Sequence, residues 1–360
     1  MNKRLVSFFS AVFLFTASAS ALASRTIVDQ LGRTVTIPDH VDRVVVLQHQ
    51  TLDLLMQLGA KDQIVGVLSS WKQNLGADVV RLYPALPSLP MPGDLTQVNL
   101  ESLLNLQPQV VFVANYAPQA MIQQMTDAGI PVVAISLRKD IQSQANKMNA
   151  SMVNEEQTYN EGLKEGIRLI GHIVNHDQQA EDLIQATFRN RAQVAQRLNA
   201  IPDEQRIRVY MANPNLTTYG SGKYTGLMMQ HAGAKNVAAS TIQGYQQVSI
   251  EHVMMWNPDV IFVQSRYPDV IDEINHDPRW QLIEAVKQHR VYLMPEYAKA
   301  WGYPTPEAMA LGEMWMAKKL YPAQFKDIDM STMANDYYLR FYHVPFDHAA
   351  FDLAPRTVTQ

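Results

Sequence analysis

The stretch Val98–Ala114, "VNLESLLNLQPQVVFVA", is written a second time as "VSIEHVMMWNPDVIFVQ" at Val248–Gln264. The copies share Val, Glu, Pro, Val, Phe and Val at matching places, and Leu/Ile, Leu/Val, Leu/Met and Val/Ile exchanges fill most of the rest. Each copy predicts a short helix, a proline turn and a continuous apolar run. Such a run is the mark of a parallel strand covered on both faces. Packing accounts for the repeated apolar residues and the proline. It does not account for Glu101 and Glu251, which stand at the same place in each copy.

Outward from the repeat, the same alternation fills both halves of the chain. Before and around the first copy, Val44–Leu47, Ile64–Val67, Val110–Ala114 and Val132–Ile135 read as strands, with helices from about Thr51, at 100–106 and at 118–128. Ile27–Asp29 and Thr34–Ile37 flank turn residues and predict a small hairpin. In the second half the expected strands are 208–211, 260–264 and 291–294, with helices at 226–232, 250–255, 280–285 and 307–320. Strands alternating with helices imply right-handed crossovers and mostly parallel sheets. Between the halves, 177–200 is rich in Ala, Gln, Leu and Arg with no internal Gly or Pro, and Pro202 ends it. The expected organisation is an α/β protein of two doubly wound lobes, 24–150 and 202–360, with a helical connector at 151–201. The aromatic tail "YYLRFYHVPFDHAAF" (337–351) is expected to be a short helix plus coil.

Residues 1–23 read as a signal peptide. Lys3 and Arg4 precede an apolar run, and Ala21-Leu22-Ala23 supplies a small-x-small cleavage pattern, so a mature chain starting at Ser24 in the periplasm is expected. The chain has no cysteine, which removes disulfides, thiolate metal sites and thiol nucleophiles together. Its net charge of −4 becomes two units more negative once Lys3 and Arg4 leave, opposite to what a nucleic-acid binder needs.

The repeated block, together with "TIVDQLGRTVTIP" (26–38), "NVAAS" (236–240) and "DPRWQLIEAVKQHRVYLMP" (277–295), resembles the class III periplasmic substrate-binding proteins of ABC importers for iron-siderophores, haem and vitamin B12. The resemblance covers nearly the whole mature chain. It implies two lobes on a single long rigid helix with the ligand cleft between them. It also implies a monomer without cofactor, capturing a metal chelate for a membrane permease and its cytoplasmic ATPase. A ferric-siderophore is the favoured ligand, with cobalamin, haem or a nickel or cobalt chelate as alternatives. In such proteins one glutamate per lobe pairs with the permease, and Glu101 and Glu251 fall on those positions. As plain structure, each is also an acidic residue in the first turn of a helix, where the helix dipole favours it.

The cleft can be located without the resemblance, because ligands of doubly wound sheets bind beyond the carboxyl ends of the strands. The loops there carry His49, Trp71, Lys72, Tyr116 and Arg138 in the first half, and Tyr219, Tyr224, Tyr245, Arg266, Tyr267 and Trp301 in the second. Aromatics with a few cations suit a bulky, partly anionic ligand. Arg138 and Arg266 can grip oxygens as forks. His49, directly after the first strand, is read as a hydrogen-bonding residue first and a direct metal ligand second. The ten histidines scatter over helices, turns and tail, which disfavours a bare-ion site.

A hydrolase is the competing class, but no G-x-S-x-G elbow occurs. "GSGK" (220–223) lacks the first glycine and the Ser/Thr of a phosphate loop, and reads as a flexible cleft loop. No fibrous repeat or low-complexity stalk suggests an adhesin.

Overall fold

The computed structural model describes residues 23–139 and 143–347. The expected signal peptide, apart from Ala23, and the end of the tail from His348 lie outside the described residues. The chain opens with an antiparallel hairpin, β1 (Ser24–Val28) and β2 (Thr34–Pro38), paired Ser24 to Pro38 through Val28 to Thr34. The first lobe is then a parallel sheet of β3 (Val44–Val46), β4 (Ile64–Val67), β5 (Val110–Ala114) and β6 (Val132–Ile135), in the order β4-β3-β5-β6.

In the second lobe, β7 (Ile207–Ala212) is followed by a short strand, β8 (Thr217–Tyr219), then β9 (Ala234–Asn236) and β10 (Tyr245–Gln247). The lobe closes with β11 (Val260–Val263) and β12 (Val291–Leu293), and its parallel sheet runs β12-β11-β7-β9. In both lobes the first strand sits between the second and the third, so one winding is used twice. The repeated runs become β5 and β11, the third strand of each sheet, and every residue of both is buried. This is why their apolar residues repeat.

The connector is two helices. Glu155–Ile173 packs against Asp177–Leu198, and the chain reverses at Asn175, which has φ 61°. The first helix sends buried Tyr159, Leu163, Ile167 and Ile170 inward at helical spacing. The second, 22 residues with Pro202 beyond it, is the long helix that the composition predicts. Its far end is fixed to the second lobe by Arg197 on Asp327 at 2.6 Å.

Three local features depart from the sequence expectation. β8 and β10 pair into an antiparallel ribbon that apolar patterning does not signal, because Tyr, Gln and Thr compose it. The stretch 280–285 is a 3-10 turn, Trp280–Leu282, and a separate helix, Glu284–Lys287, with extended Ile283 between them. The tail forms a 12-residue helix, Met330–Phe341, that reaches back to the first lobe, where the Tyr337 hydroxyl donates to Gln57 Oε1 at 2.6 Å.

Candidate ligand-binding site

The strand order reverses between β3 and β5 in one lobe and between β7 and β11 in the other. At such points the loops diverge and leave a crevice. The residues leaving those four strands are Gln48-His49, Asn115-Tyr116, Asn213 and Gln264 to Tyr267.

On the first-lobe side, the helix His49–Gln57 starts directly at the crevice. Its N-cap, Gln48, gives no side-chain cap, since that side chain accepts from Thr51 Oγ1 and donates to the Ile135 carbonyl. A helix start without a side-chain cap favours anions. His49 is only 6 % exposed and its Nδ1 has no partner. Burial, reinforced by Arg266, pushes its pKa down to about 3, so the imidazole is neutral.

Arg138, 1 % exposed, is fixed at its backbone as well as through its side chain. Leu137 before it takes φ 56°, and the Arg138 backbone lies so close to the connector helix that a Cβ on Gly162 would come 2.0 Å from Arg138 Cα. Only glycine allows that approach. The guanidinium donates to the carbonyls of Gln144 and Lys147 and to the Tyr303 hydroxyl at 3.3 Å.

On the second-lobe side, the "GSGK" loop is held rather than loose. Gly222, at φ 78°, donates its N–H to Glu155 Oε1 at 2.9 Å and accepts from the Tyr159 hydroxyl at 3.1 Å. The turn delivers Lys223 into the interior, 3 % exposed, with Nζ on the Met148 carbonyl at 2.5 Å and 5.0 Å from the centre of the Tyr303 ring. Burial, then repulsion from Arg138, pushes the Lys223 pKa down to about 8. Arg266 is half-buried. It donates to Gln264 Oε1 and to the Asn74 carbonyl across the cleft, and lies over the rings of Tyr267 (4.8 Å) and Trp301 (5.8 Å).

Three cations therefore converge from both lobes around Tyr303 and Trp301. Asp94, a carboxylate that acts electrostatically on His49, is turned to hydroxyls. It accepts from Ser69 and Ser70 Oγ at 2.5 Å each and from Leu95 N. Burial alone would raise its pKa, but these hydrogen bonds outweigh it and hold the acid below its usual range. Among the described residues no group of three His, Asp or Glu side chains is arranged to hold a metal ion. Such a cleft offers donors and positive charge, so an anion is the chemistry it suits.

His49, Arg266, Tyr267 and Trp301 are brought together, with the His49 ring edge-on to Trp301 at 5.4 Å, while Arg138 meets Lys223 at the Tyr303 ring. Tyr219 is buried within the electrostatic reach of Arg266 and stacks on Tyr245 at 4.6 Å; Tyr116 lies near Tyr303 and Asp94. Trp71 is buried at the start of a short helix, Trp71–Leu75, on which Lys72 is exposed. Tyr224 stands apart, its hydroxyl on Glu313 Oε1 at 2.5 Å inside the second lobe and its ring against Tyr159. Sequence reasoning missed Lys223 and Tyr303. The signal for Lys223 was the GSGK turn itself, since two glycines around a serine can press a following lysine into an interior.

Glu101 and Glu251 are both exposed, each in the first turn of its helix, Leu100–Asn105 or Ile250–Trp256. Asn99 and Ser249, also at matched places, cap these helices by accepting from Ser102 N and His252 N. A surface hollow of about 530 Å³ lies beside the second helix, between Ile250, Trp280, Arg279 and Leu216.

Residues 44–298 match the family described as periplasmic binding protein. The chain is 57 % identical over 349 residues to the molybdate-binding protein MolA of Haemophilus influenzae, covering 96 % of this chain and 99 % of MolA. The structure of MolA bound to molybdate superposes with a TM-score of 0.88, covering 90 % of this chain and 99 % of that one. A periplasmic solute-binding protein from Veillonella parvula, 26 % identical, superposes with a TM-score of 0.74 over 92 % of this chain and 97 % of that one. More distantly, a Bacillus subtilis Fe(3+)-citrate-binding protein is 24 % identical, covering 75 % of this chain and 78 % of that protein. These relatives are substrate-binding transport proteins rather than enzymes, and the chain itself belongs to the periplasmic binding protein family.

Proposed function

We propose that this protein captures a compact oxyanion of the molybdate kind in the interlobe cleft and passes it to the permease of an ABC importer. The observation that carries this reading is the arrangement of Arg138, Lys223 and Arg266. Lys223 and Arg266 make their hydrogen bonds to amide carbonyls. An anion with several equivalent oxygens can accept from such donors and from the uncapped helix start at His49 in one small volume. The 57 % identity to a molybdate-binding protein supports the same ligand class. The ferric-siderophore expected from the sequence becomes the second reading. It keeps the support of the aromatic lining and of the more distant Fe(3+)-citrate-binding relative.

Tryptophan emission of ligand-free protein, titrated with molybdate, tungstate, sulfate, phosphate and ferric chelates, decides between them. Saturation by molybdate or tungstate below the concentrations needed for any chelate supports the oxyanion; the reverse order restores the chelate.

Delivery through Glu101 and Glu251 belongs to the same proposal. Two exposed carboxylates, one on each lobe, contribute orientation and encounter rate more than affinity. Glu101→Ala with Glu251→Ala should abolish uptake while molybdate affinity in solution is unchanged. A parallel loss of affinity would assign both residues to the fold or the cleft. Export with cleavage after Ala23, and action as a cofactor-free monomer, complete the reading. N-terminal sequencing of protein recovered from the periplasm checks the cleavage.

A further inference from the structure

Beside Trp301 lies a second group of charges that crosses between the lobes. Asp53 sits on the helix His49–Gln57, one turn beyond His49. Lys299 comes from the second lobe, two residues before Trp301, and takes the left-handed φ of 34°. Lys299 Nζ reaches Asp53 Oδ1 at 2.6 Å, Glu307 Oε2, and the Tyr342 hydroxyl at 2.8 Å. The Tyr342 hydroxyl also contacts Asp53 Oδ1 at 2.8 Å and Glu307 Oε2 at 2.6 Å. All four side chains are buried or nearly so.

We infer that Asp53, Lys299 and Tyr342, with Glu307 as the second counter-ion of Lys299, form an interlobe latch that positions His49 and Trp301 against one another and so sets the geometry of the cleft. Buried ion pairs of this kind are costly to desolvate and are poor sources of stability relative to apolar packing, so a geometric role is the better reason to keep one. The geometry here is specific. The latch ties the helix that carries His49 to the strained turn that carries Trp301. Lys299 Nζ lies 5.3 Å from the Trp301 ring centre, and Trp301 N donates to the Lys299 carbonyl at 2.7 Å. A second pair, Arg81 with Glu296 at 2.8 Å, holds the start of the same segment to the first lobe. Asp53, Lys299 and Tyr342 are positioning residues: they reach the ligand site only through His49 and Trp301. The inference does not depend on which anion the cleft takes.

The two carboxylates have different places in the latch, and that allows a clean test. Asp53 belongs to the first lobe and Glu307 to the second. Asp53→Asn removes the charge from the tie between the lobes and so weakens it, but leaves Lys299 paired with Glu307. Glu307→Gln leaves the tie and removes a carboxylate on the same side as Lys299. Because the chain has no cysteine, Gln124→Cys and Lys287→Cys, both exposed and one on each lobe, can carry spin labels for interlobe distances. In ligand-free protein, Asp53→Asn should broaden and shift the distance distribution and move the emission contributed by Trp301 to the red, with Trp301→Phe as reference. Glu307→Gln should leave both as in the parent. Tyr342→Phe should act in the same direction as Asp53→Asn but less, and serves if Asp53→Asn does not fold. Equal behaviour of the Asp53 and Glu307 variants, or a Tyr342→Phe protein indistinguishable from the parent by both readouts, would overturn the latch.

Discussion

Lys223 and Lys299 are two lysines of the same lobe, drawn into the interior against the rings of Tyr303 and Trp301 respectively, and their surroundings are opposite. Lys299 has two carboxylates and a phenol. Burial would lower its pKa, but Asp53 and Glu307 more than offset this, and the pKa is raised. Lys223 has a carbonyl, an aromatic face and a neighbouring guanidinium. Its pKa goes the other way, down to about 8. A buried ammonium that has its counter-ions belongs to the fold. One left beside another cation is held ready for negative charge that arrives from outside. This difference separates the latch from the ligand site more sharply than burial or residue type does.

The largest expected effect comes from removing the two charges separately. Lys299→Met should destabilise the protein by about 3–5 kcal/mol in denaturant titration, because Asp53 and Glu307 are left buried without their cation. Lys223→Met should leave stability unchanged or raise it, and should instead cost about 2–5 kcal/mol of molybdate binding. If both variants lost stability alike, the contrast would fail.

The pH profile of binding sharpens it. Lys223 must be protonated to hold an anion, and the anion raises its pKa in the complex. Affinity should therefore be flat below about pH 8 and fall as the pH rises above that value, a fall that Lys223→Met abolishes. His49, neutral above about pH 3, contributes nothing to this profile.

The latch side carries a pH dependence of its own. Glu307 is raised from 4.5 to about 7, chiefly by burial, so its contribution to stability is present below pH 4.5 and lost as the pH rises through 7. Glu307→Gln should remove that decline, seen as a flatter Tm between pH 4.5 and 7.

The fold was legible because its signals are local and repeated. The runs at 110–114 and 260–263 are apolar without interruption, and the connector at 177–198 has no breaker. Glu101 and Glu251 stood out because the repeat gave them no packing role. The site was legible only in part. His49, Arg138 and Arg266 follow from the strand-end rule, but Lys223 was hidden in a motif dismissed for lacking phosphate-loop residues. Its burial depends on Glu155 and Tyr159, more than 60 positions away, fixing the Gly222 turn. Tyr224, adjacent in sequence, points instead to Glu313 because a helix begins there and turns successive side chains apart. The latch was invisible for the same reason, since Asp53, Lys299 and Tyr342 come from three distant segments.

The central claim is that the interlobe cleft is a site for a compact oxyanion held by Arg138, Lys223 and Arg266. Calorimetric titration of sodium molybdate into the ligand-free protein at neutral pH tests it most directly. Saturable binding of one anion per chain, lost in Lys223→Met, is the expected result. No saturable heat, or equal binding by the parent and Lys223→Met, would contradict it.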